Sequence, residues 1–358
     1  MTRGADAPRA PLASGRALIV RPDGRVLDAR GEARQFAPSC LYVRAPETME
    51  VERVIDGVAP PLAAHPTRPL VLCARECAYS PPARGVPQEW LGRDVRLIDY
   101  ERGVELDRYP LRAPCAWLDD DHFAAASAGF LDGARERSFG ERHRQIQDLF
   151  SDELADGLAV VSRARGVGAL VVRCGVYERW SRLRQAVARD GVLFYAGHDE
   201  VGAVRPADAS ILWAVPRQET GLGHDLRALA LSEDGRHLAA IAAGAFRRSD
   251  LVIFDAARGR ALVGLALGEI VAESGLMSSR QTELTCLAWH RSGWAAVGTR
   301  AGLVACVTPD GGVTAYRGAK GAVESLAFTA DHGALLVAGR GPGVRVFELS
   351  EGERGGAA

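Results

Sequence analysis

Apolar and polar positions along this chain alternate in short blocks, and one block recurs. Leu229-Ala230-Leu231-Ser232 runs through the turn Glu233-Asp234-Gly235 into Leu238–Ile241. Leu287–His290 leads through Arg291-Ser292-Gly293 into Trp294–Val297, and Leu326–Thr329 through Ala330–Gly333 into Leu335–Val337. Leu62–His65 precedes Leu70-Val71-Leu72, and Cys115–Leu118 precedes Phe123–Ala126. Five copies of strand, polar turn and apolar strand predict a repeat protein. The run after each turn is short and nearly continuous, as expected of a strand buried on both faces. Asp-Gly, Ser-Gly and His-Gly supply the positive-φ positions of tight hairpins.

Further strands follow each pair. Leu251–Asp255 ends in Ala256-Ala257-Arg258-Gly259, Val95–Asp99 precedes Arg102-Gly103, and Val344–Glu348 lies near the C-terminus. Three or four strands every ~40–55 residues make one blade of a β-propeller. In the first part of the chain Ala17–Arg21, Arg25–Ala29, Cys40–Arg44 and Glu50–Ile55 read as strands. They form a whole blade, or one of them closes the ring against the last blade. The stretch Leu18–Val26, with its Pro-Asp-Gly turn, echoes Val304–Val313. The expected fold is all-β: a seven-bladed propeller of four-stranded antiparallel blades, with six blades as the alternative and one or two inserted helices.

The expected organisation is a flexible tail at 1–14, one propeller over 15–350 and a second tail at 351–358. Three insertions interrupt the rhythm. Residues 129–156 place Ile146, Leu149, Phe150 and Leu154 at helical spacing on a charged segment. Residues 177–189 place Trp180, Leu183 and Val187 on one helical face, with Arg179, Arg182 and Arg184 on others. The third, 268–281, is turn-rich. The first two either dock on the propeller or bind a partner, and the third is either a recognition loop or an ordinary long connection. The candidate interaction residues are Ile146, Leu149, Phe150, Trp180 and Arg184.

From Gly221 to Glu348 the chain resembles the WD40-repeat family. Gly223-His224 stands before a blade's first strand, like that family's Gly-His dipeptide, and Ile253-Phe254-Asp255 stands where the family ends its third strand with Trp-Asp. Gly318 and Val323 keep the family spacing, with Ala319 in place of the His. No repeat carries both dipeptides. The resemblance implies a propeller that presents its top face, side and channel mouth to partner proteins.

The net charge of −1 argues against a general nucleic-acid binder, and the 47% apolar content suits a globular protein without an apolar run long enough to span a membrane. Lys320 is the only lysine among 44 basic residues, and asparagine is absent. Both residues use AT-rich codons, so this points to a GC-rich, bacterial genome. The seven scattered cysteines, mostly within strands, fit a reducing cytoplasm better than a disulfide framework.

Several constellations invite chemistry. Cys73 and Cys77 lack the second ligand pair of a structural zinc site. His65, His122, His237, His290 and His332 all fall in or beside a first turn, so they recur because the turn recurs. Asp119-Asp120-Asp121-His122 occupies the same hairpin position. The glycine-rich Gly166–Gly168 and Gly339–Gly343 precede no helix start, which a phosphate cradle needs. No cofactor is expected. The resulting expectation is a non-catalytic scaffold, a subunit or adaptor of a bacterial multiprotein system, with protein partners and no membrane. The alternatives are a cation-assisted hydrolase or lyase using channel carboxylates, and a sensor with a small molecule in the central channel.

Overall fold

The computed structural model describes residues 16–31, 39–75, 95–109, 111–127, 158–163, 168–172, 185–197, 200–208, 210–222, 225–243, 250–267, 270, 283–317, 321–339 and 343–350. They form seven antiparallel sheets. Blade 1 holds β1 (Arg16–Val20), β2 (Val26–Arg30), β3 (Cys40–Arg44) and β4 (Val51–Asp56). Blade 2 holds β5 (Val58–Ala64), β6 (Leu70–Arg75), β7 (Val95–Asp99) and β8 (Val104–Tyr109). Blade 3 holds β9 (Leu111–Trp117), β10 (His122–Ser127), β11 (Leu158–Ser162) and β12 (Gly168–Val172). Blade 4 holds β13 (Gln185–Arg189), β14 (Val192–Ala196), β15 (Glu200–Arg205) and β16 (Ser210–Pro216). Blade 5 holds β17 (Asp225–Leu231), β18 (His237–Ala243), β19 (Leu251–Asp255) and β20 (Ala261–Leu265). Blade 6 holds β21 (Leu284–Trp289), β22 (Ala295–Thr299), β23 (Leu303–Val307) and β24 (Val313–Arg317). Among the described residues blade 7 holds β25 (Val323–Phe328), β26 (Ala334–Gly339) and β27 (Val344–Glu348).

Each blade is one uninterrupted stretch of chain in the order inner, second, third, outer strand. The inner strands β1, β5, β9, β13, β17, β21 and β25 touch in succession, and β25 meets β1 again to close the ring. Seven blades are therefore present, not six, and β1–β4 make a complete blade. The hairpin Leu18–Val26 joins inner to second strand, whereas its echo Val304–Val313 joins third to outer. The two share turn chemistry, not a place in the blade.

Two regions differ from the helical expectation. The C-terminal part of the predicted helix 177–189 is the strand β13. Arg189 pairs with Val192 across a two-residue turn in which Asp190 has φ 50° and Gly191 φ 73°, the double positive φ of a type I′ hairpin. A strand with Ala186, Val187 and Ala188 all half-buried satisfies its backbone by pairing with β14, which a lone helix turn could not do. Residues 129–156 and 177–184 lie outside the described residues, as do most of 268–281. The helix α1 (Arg217–Thr220), one turn between blades 4 and 5, was not expected.

The core is divided among the seams between blades. Leu27, Leu41 and Ile55 of blade 1 meet Val71, Ile98 and Tyr100 of blade 2. Leu72 and Leu97 meet Trp117 and Phe123. Phe194 and Trp213 of blade 4 meet Leu238 and Phe254 of blade 5, and Ile241 and Ile253 meet Leu287 and Val297 of blade 6. This explains the continuous apolar runs: second and third strands bury both faces.

Candidate interaction surface

The residues that invite chemistry in the sequence are absorbed by hairpin turns at one end of the blades. Buried His65 follows β5; its Nδ1 accepts the N–H groups of Thr67 and Arg68 at 3.1 and 3.0 Å. That fixes the proton on Nε2, which donates to the Asp120 carbonyl of blade 3 at 2.9 Å. Arg21 of blade 1 donates in turn to the His65 carbonyl and to Tyr100 Oη, so three blades are tied through one turn. Blade 6 repeats the device. His290 Nδ1 accepts from Ser292 N–H at 3.2 Å, and Nε2 donates to the His332 carbonyl of blade 7 at 3.0 Å. Burial lowers the pKa of His65, His290 and His332 below the ordinary histidine value, so each is held neutral.

The acidic residues do comparable work. Asp119 Oδ1 accepts from the backbone of Asp121 and His122 and from His122 Nδ1. Asp234 accepts from Ser232 Oγ and Arg236 N–H, and Asp331 from Thr329 Oγ1 and Gly333 N–H. Asp99 and Asp255, each ending a third strand, accept two N–H groups of the following turn. Cys73 is buried between blades with its thiol pushed up to about 12 by desolvation, which suits a packing role and opposes metal ligation. Cys77 lies outside the described residues.

The seam between blades 7 and 1 is built differently. Among the described residues its buried apolar part is Leu18, Val26, Ala327, Leu336 and Ala338, with half-buried Val20, Met49 and Val344 packed against them. Beside it, fully buried Asp28 accepts from Arg16 Nε at 2.7 Å and Nη2 at 2.8 Å, a bidentate pair, and from Arg30 and Arg44. Burial alone would raise the Asp28 pKa, but the hydrogen bonds from Arg16 and Arg30 outweigh it and hold the carboxyl below its usual range. Arg16 Nη1 reaches across to the carbonyls of Gly339 and Gly343 at 2.7 and 3.2 Å, and Leu18 N–H donates to Ser325 Oγ at 2.9 Å. Gly339 and Gly343, from the glycine-rich stretch, thus supply acceptors that close the ring.

The same sector of the rim exposes apolar side chains. Val346 on β27 is 48% exposed, Val51 and Val54 on β4 are 44% and 50%, and Val104 and Leu106 on β8 are 43% and 45%. These three strands belong to the consecutive blades 7, 1 and 2. Ile211 and Leu212 on β16, Leu262 on β20 and Ile270 make up the remaining exposed large apolar residues among those described. The sequence-derived candidates Ile146, Leu149, Phe150, Trp180 and Arg184 lie outside the described residues. The rim set was missed because a valine on an outer strand reads like any other strand residue. The signal available was interspersed charge: Val51-Glu52-Arg53-Val54 and Val104-Glu105-Leu106-Asp107 mix charge with valine or leucine, unlike the continuous runs of the second and third strands.

No protein-family model matches the chain, and no curated protein matches its sequence. In fold it is similar to the crystal structure of the Myceliophteria thermophila Cps50 (Swd1) β-propeller domain, with TM-score 0.63 and 14% identity over 96% of this chain and 99% of that one. It is also similar to a chain in the crystal structure of a mitotic checkpoint complex, with TM-score 0.60 and 11% identity over 98% and 99% of the two chains. The fold is that of a WD40-like β-propeller.

Proposed function

We propose that this chain is a non-catalytic protein-interaction scaffold, a subunit or adaptor of a bacterial multiprotein system working in the cytoplasm. The observation that carries the reading is the run of exposed valines and leucine across blades 7, 1 and 2. Water-facing apolar groups gathered on neighbouring rigid strands are the mark of a surface that is covered in use. The structural duties of His65, His290, Asp119 and Asp234 support the same reading, since groups engaged in turns are not poised for acid–base work. The similar propellers include one solved within a protein complex, which agrees with protein partners. Arginine-rich, asparagine-free composition supports the bacterial origin, and the buried free thiols of Cys40, Cys73, Cys115 and Cys286 support a reducing compartment. Ile146, Leu149, Phe150, Trp180 and Arg184 are proposed as additional anchors on the insertions.

The test is affinity capture from native extract with three proteins: the natural chain, Val54→Asp/Leu106→Asp, and Leu149→Asp/Phe150→Asp. A stoichiometric partner held by the natural chain and lost from a variant that melts at the same temperature is the expected result. Absence of any stoichiometric partner with the natural chain would overturn the scaffold reading. Retention by Leu149→Asp/Phe150→Asp would confine binding to the rim and remove the insertion anchors.

A further inference from the structure

We propose that Asp190–Gly191 is a site of spontaneous covalent modification, where the main-chain nitrogen of Gly191 closes on the Asp190 carboxyl and the aspartate becomes isoaspartate. The inference goes beyond the scaffold reading and does not rest on it.

Asp-Gly pairs suit this chemistry because glycine puts no side chain beside the attacking nitrogen. Five fall among the described residues: Asp23–Gly24, Asp56–Gly57, Asp190–Gly191, Asp234–Gly235 and Asp310–Gly311. Two more, at 132–133 and 156–157, lie outside them.

Four of the five are held. Gly24 N–H donates to the Arg21 carbonyl at 2.8 Å and Gly57 N–H to that of Ser39 at 2.8 Å. Gly235 N–H donates to the Ser232 carbonyl at 2.9 Å and Gly311 N–H to that of Thr308 at 2.9 Å. In three of these pairs the carboxylate is engaged as well. Asp23 Oδ1 accepts from Arg25 N–H at 3.1 Å and Asp234 Oδ1 from Arg236 N–H at 3.0 Å. Asp310 Oδ1 accepts from Thr308 Oγ1 and Gly312 N–H. Each bond occupies the nitrogen or the carboxyl, and both must be freed before they can meet.

Asp190–Gly191 is built otherwise. In the two-residue hairpin between β13 and β14 the closing bonds belong to Arg189 and Val192, so the amide joining Asp190 to Gly191 stays outside the ladder. The Asp190 side chain is 88% exposed, and its contact with exposed Arg189 Nε, at 3.3 Å, is a surface ion pair that holds it weakly. A Cβ placed on Gly191 would meet nothing within 4 Å, so the turn has room to rearrange.

The chemistry balances without a co-reactant other than water. The Gly191 nitrogen attacks Cγ of the protonated Asp190 carboxyl; the N–Cγ bond forms and the Cγ–OH bond breaks, releasing water. Water then reopens the cyclic imide. Addition at Cγ restores aspartate, and addition at the Asp190 main-chain carbonyl carbon gives isoaspartate, whose chain runs through Cβ and Cγ. The mass is unchanged.

The neighbouring blade feels the product. Arg189 Nη1 donates to the Ser232 carbonyl of blade 5 at 3.4 Å, and Arg189 Cδ lies 3.3 Å from where a Cβ on Gly235 would stand. Isoaspartate adds a methylene to the main chain beside Arg189. The hairpin then closes out of register, and this contact between the first turns of blades 4 and 5 is lost.

The test incubates the full chain at neutral pH, folded and in parallel unfolded in urea. Both samples are digested and read by electron-transfer fragmentation, which tells isoaspartate from aspartate. In the folded chain isoaspartate at 190 should exceed that at 23, 56, 234 or 310 by at least about tenfold, since hydrogen bonds must break before those sites react. In urea the five sites should react at similar rates. Comparable isoaspartate at any of the four held sites in the folded chain would overturn the inference. So would its absence from 190 while the unfolded chain accumulates it there, or the same preference for 190 in urea.

Discussion

The seam between blades 5 and 6 and the seam between blades 7 and 1 perform the same task with different chemistry. The first is a wide apolar interface of Ile241, Leu251, Ile253, Leu284, Leu287 and Val297, with Trp289 Nε1 donating to the Ala230 carbonyl at 2.9 Å. Its blades are also consecutive in the chain. The second joins the first blade to the last, and it combines a shorter apolar set with a buried arginine–aspartate network aimed at Gly339 and Gly343. Apolar contact is strong but undirected, and chain connectivity already brings blades 5 and 6 together in register. Blades 7 and 1 have no such tether, so directional bonds set which strand meets which.

Removing the carboxylate from that network should have the largest effect. Asp28→Ala leaves Arg16 buried without its counter-charge and should cost about 3–5 kcal/mol in urea unfolding. Exchange should quicken first in β1 and β25. A variant that loses under 1 kcal/mol would show that the network is incidental to closure. In the apolar seam, Ile253→Ala should cost about 2–5 kcal/mol, with a single cooperative transition retained.

Acid separates the histidine turns, which bridge blades 2 and 3 and blades 6 and 7, from the network at the 7/1 seam. His65, His290 and His332 are neutral in the fold with lowered pKa values, whereas the unfolded chain protonates near 6.5. The unfolded state then binds more protons, so stability is full above pH 6.5 and declines as the pH falls below it. Asp28 is lowered from 3.8, so its contribution persists until the pH falls below that value. Unfolding midpoints measured from pH 7.5 to 4.5 should therefore fall, and His65→Gln/His290→Gln should flatten the slope. A smaller effect is expected at Ser325→Ala, about 1 kcal/mol for the hydrogen bond from Leu18 N–H. The smallest is Arg25→Ala, whose carboxylate partners are exposed, within about 0.5 kcal/mol.

The blade rhythm was legible because burial on both faces leaves a continuous apolar run after a polar turn. Blade 1 was readable strand by strand, within one residue at each end. Blade 4 was not: Trp180, Leu183 and Val187 gave a helical period, although Arg189-Asp190-Gly191-Val192 carried the hairpin dipeptide that marks the correct element. Turn chemistry outranked periodicity there. The latch at the 7/1 seam was beyond sequence reading, since Arg16 and Gly339 meet only when the ring has closed.

Because every sheet of the described residues takes its strands from consecutive positions along the chain, a blade is also a heritable unit. Blade 2 begins after the single residue Gly57 and ends before Pro110. A duplication or exchange bounded at those two positions would carry a whole sheet with its hairpins and both flanking faces. Divergence can then proceed one cassette at a time, each answerable only to its two neighbours, while the ends of the ring are free to acquire new obligations.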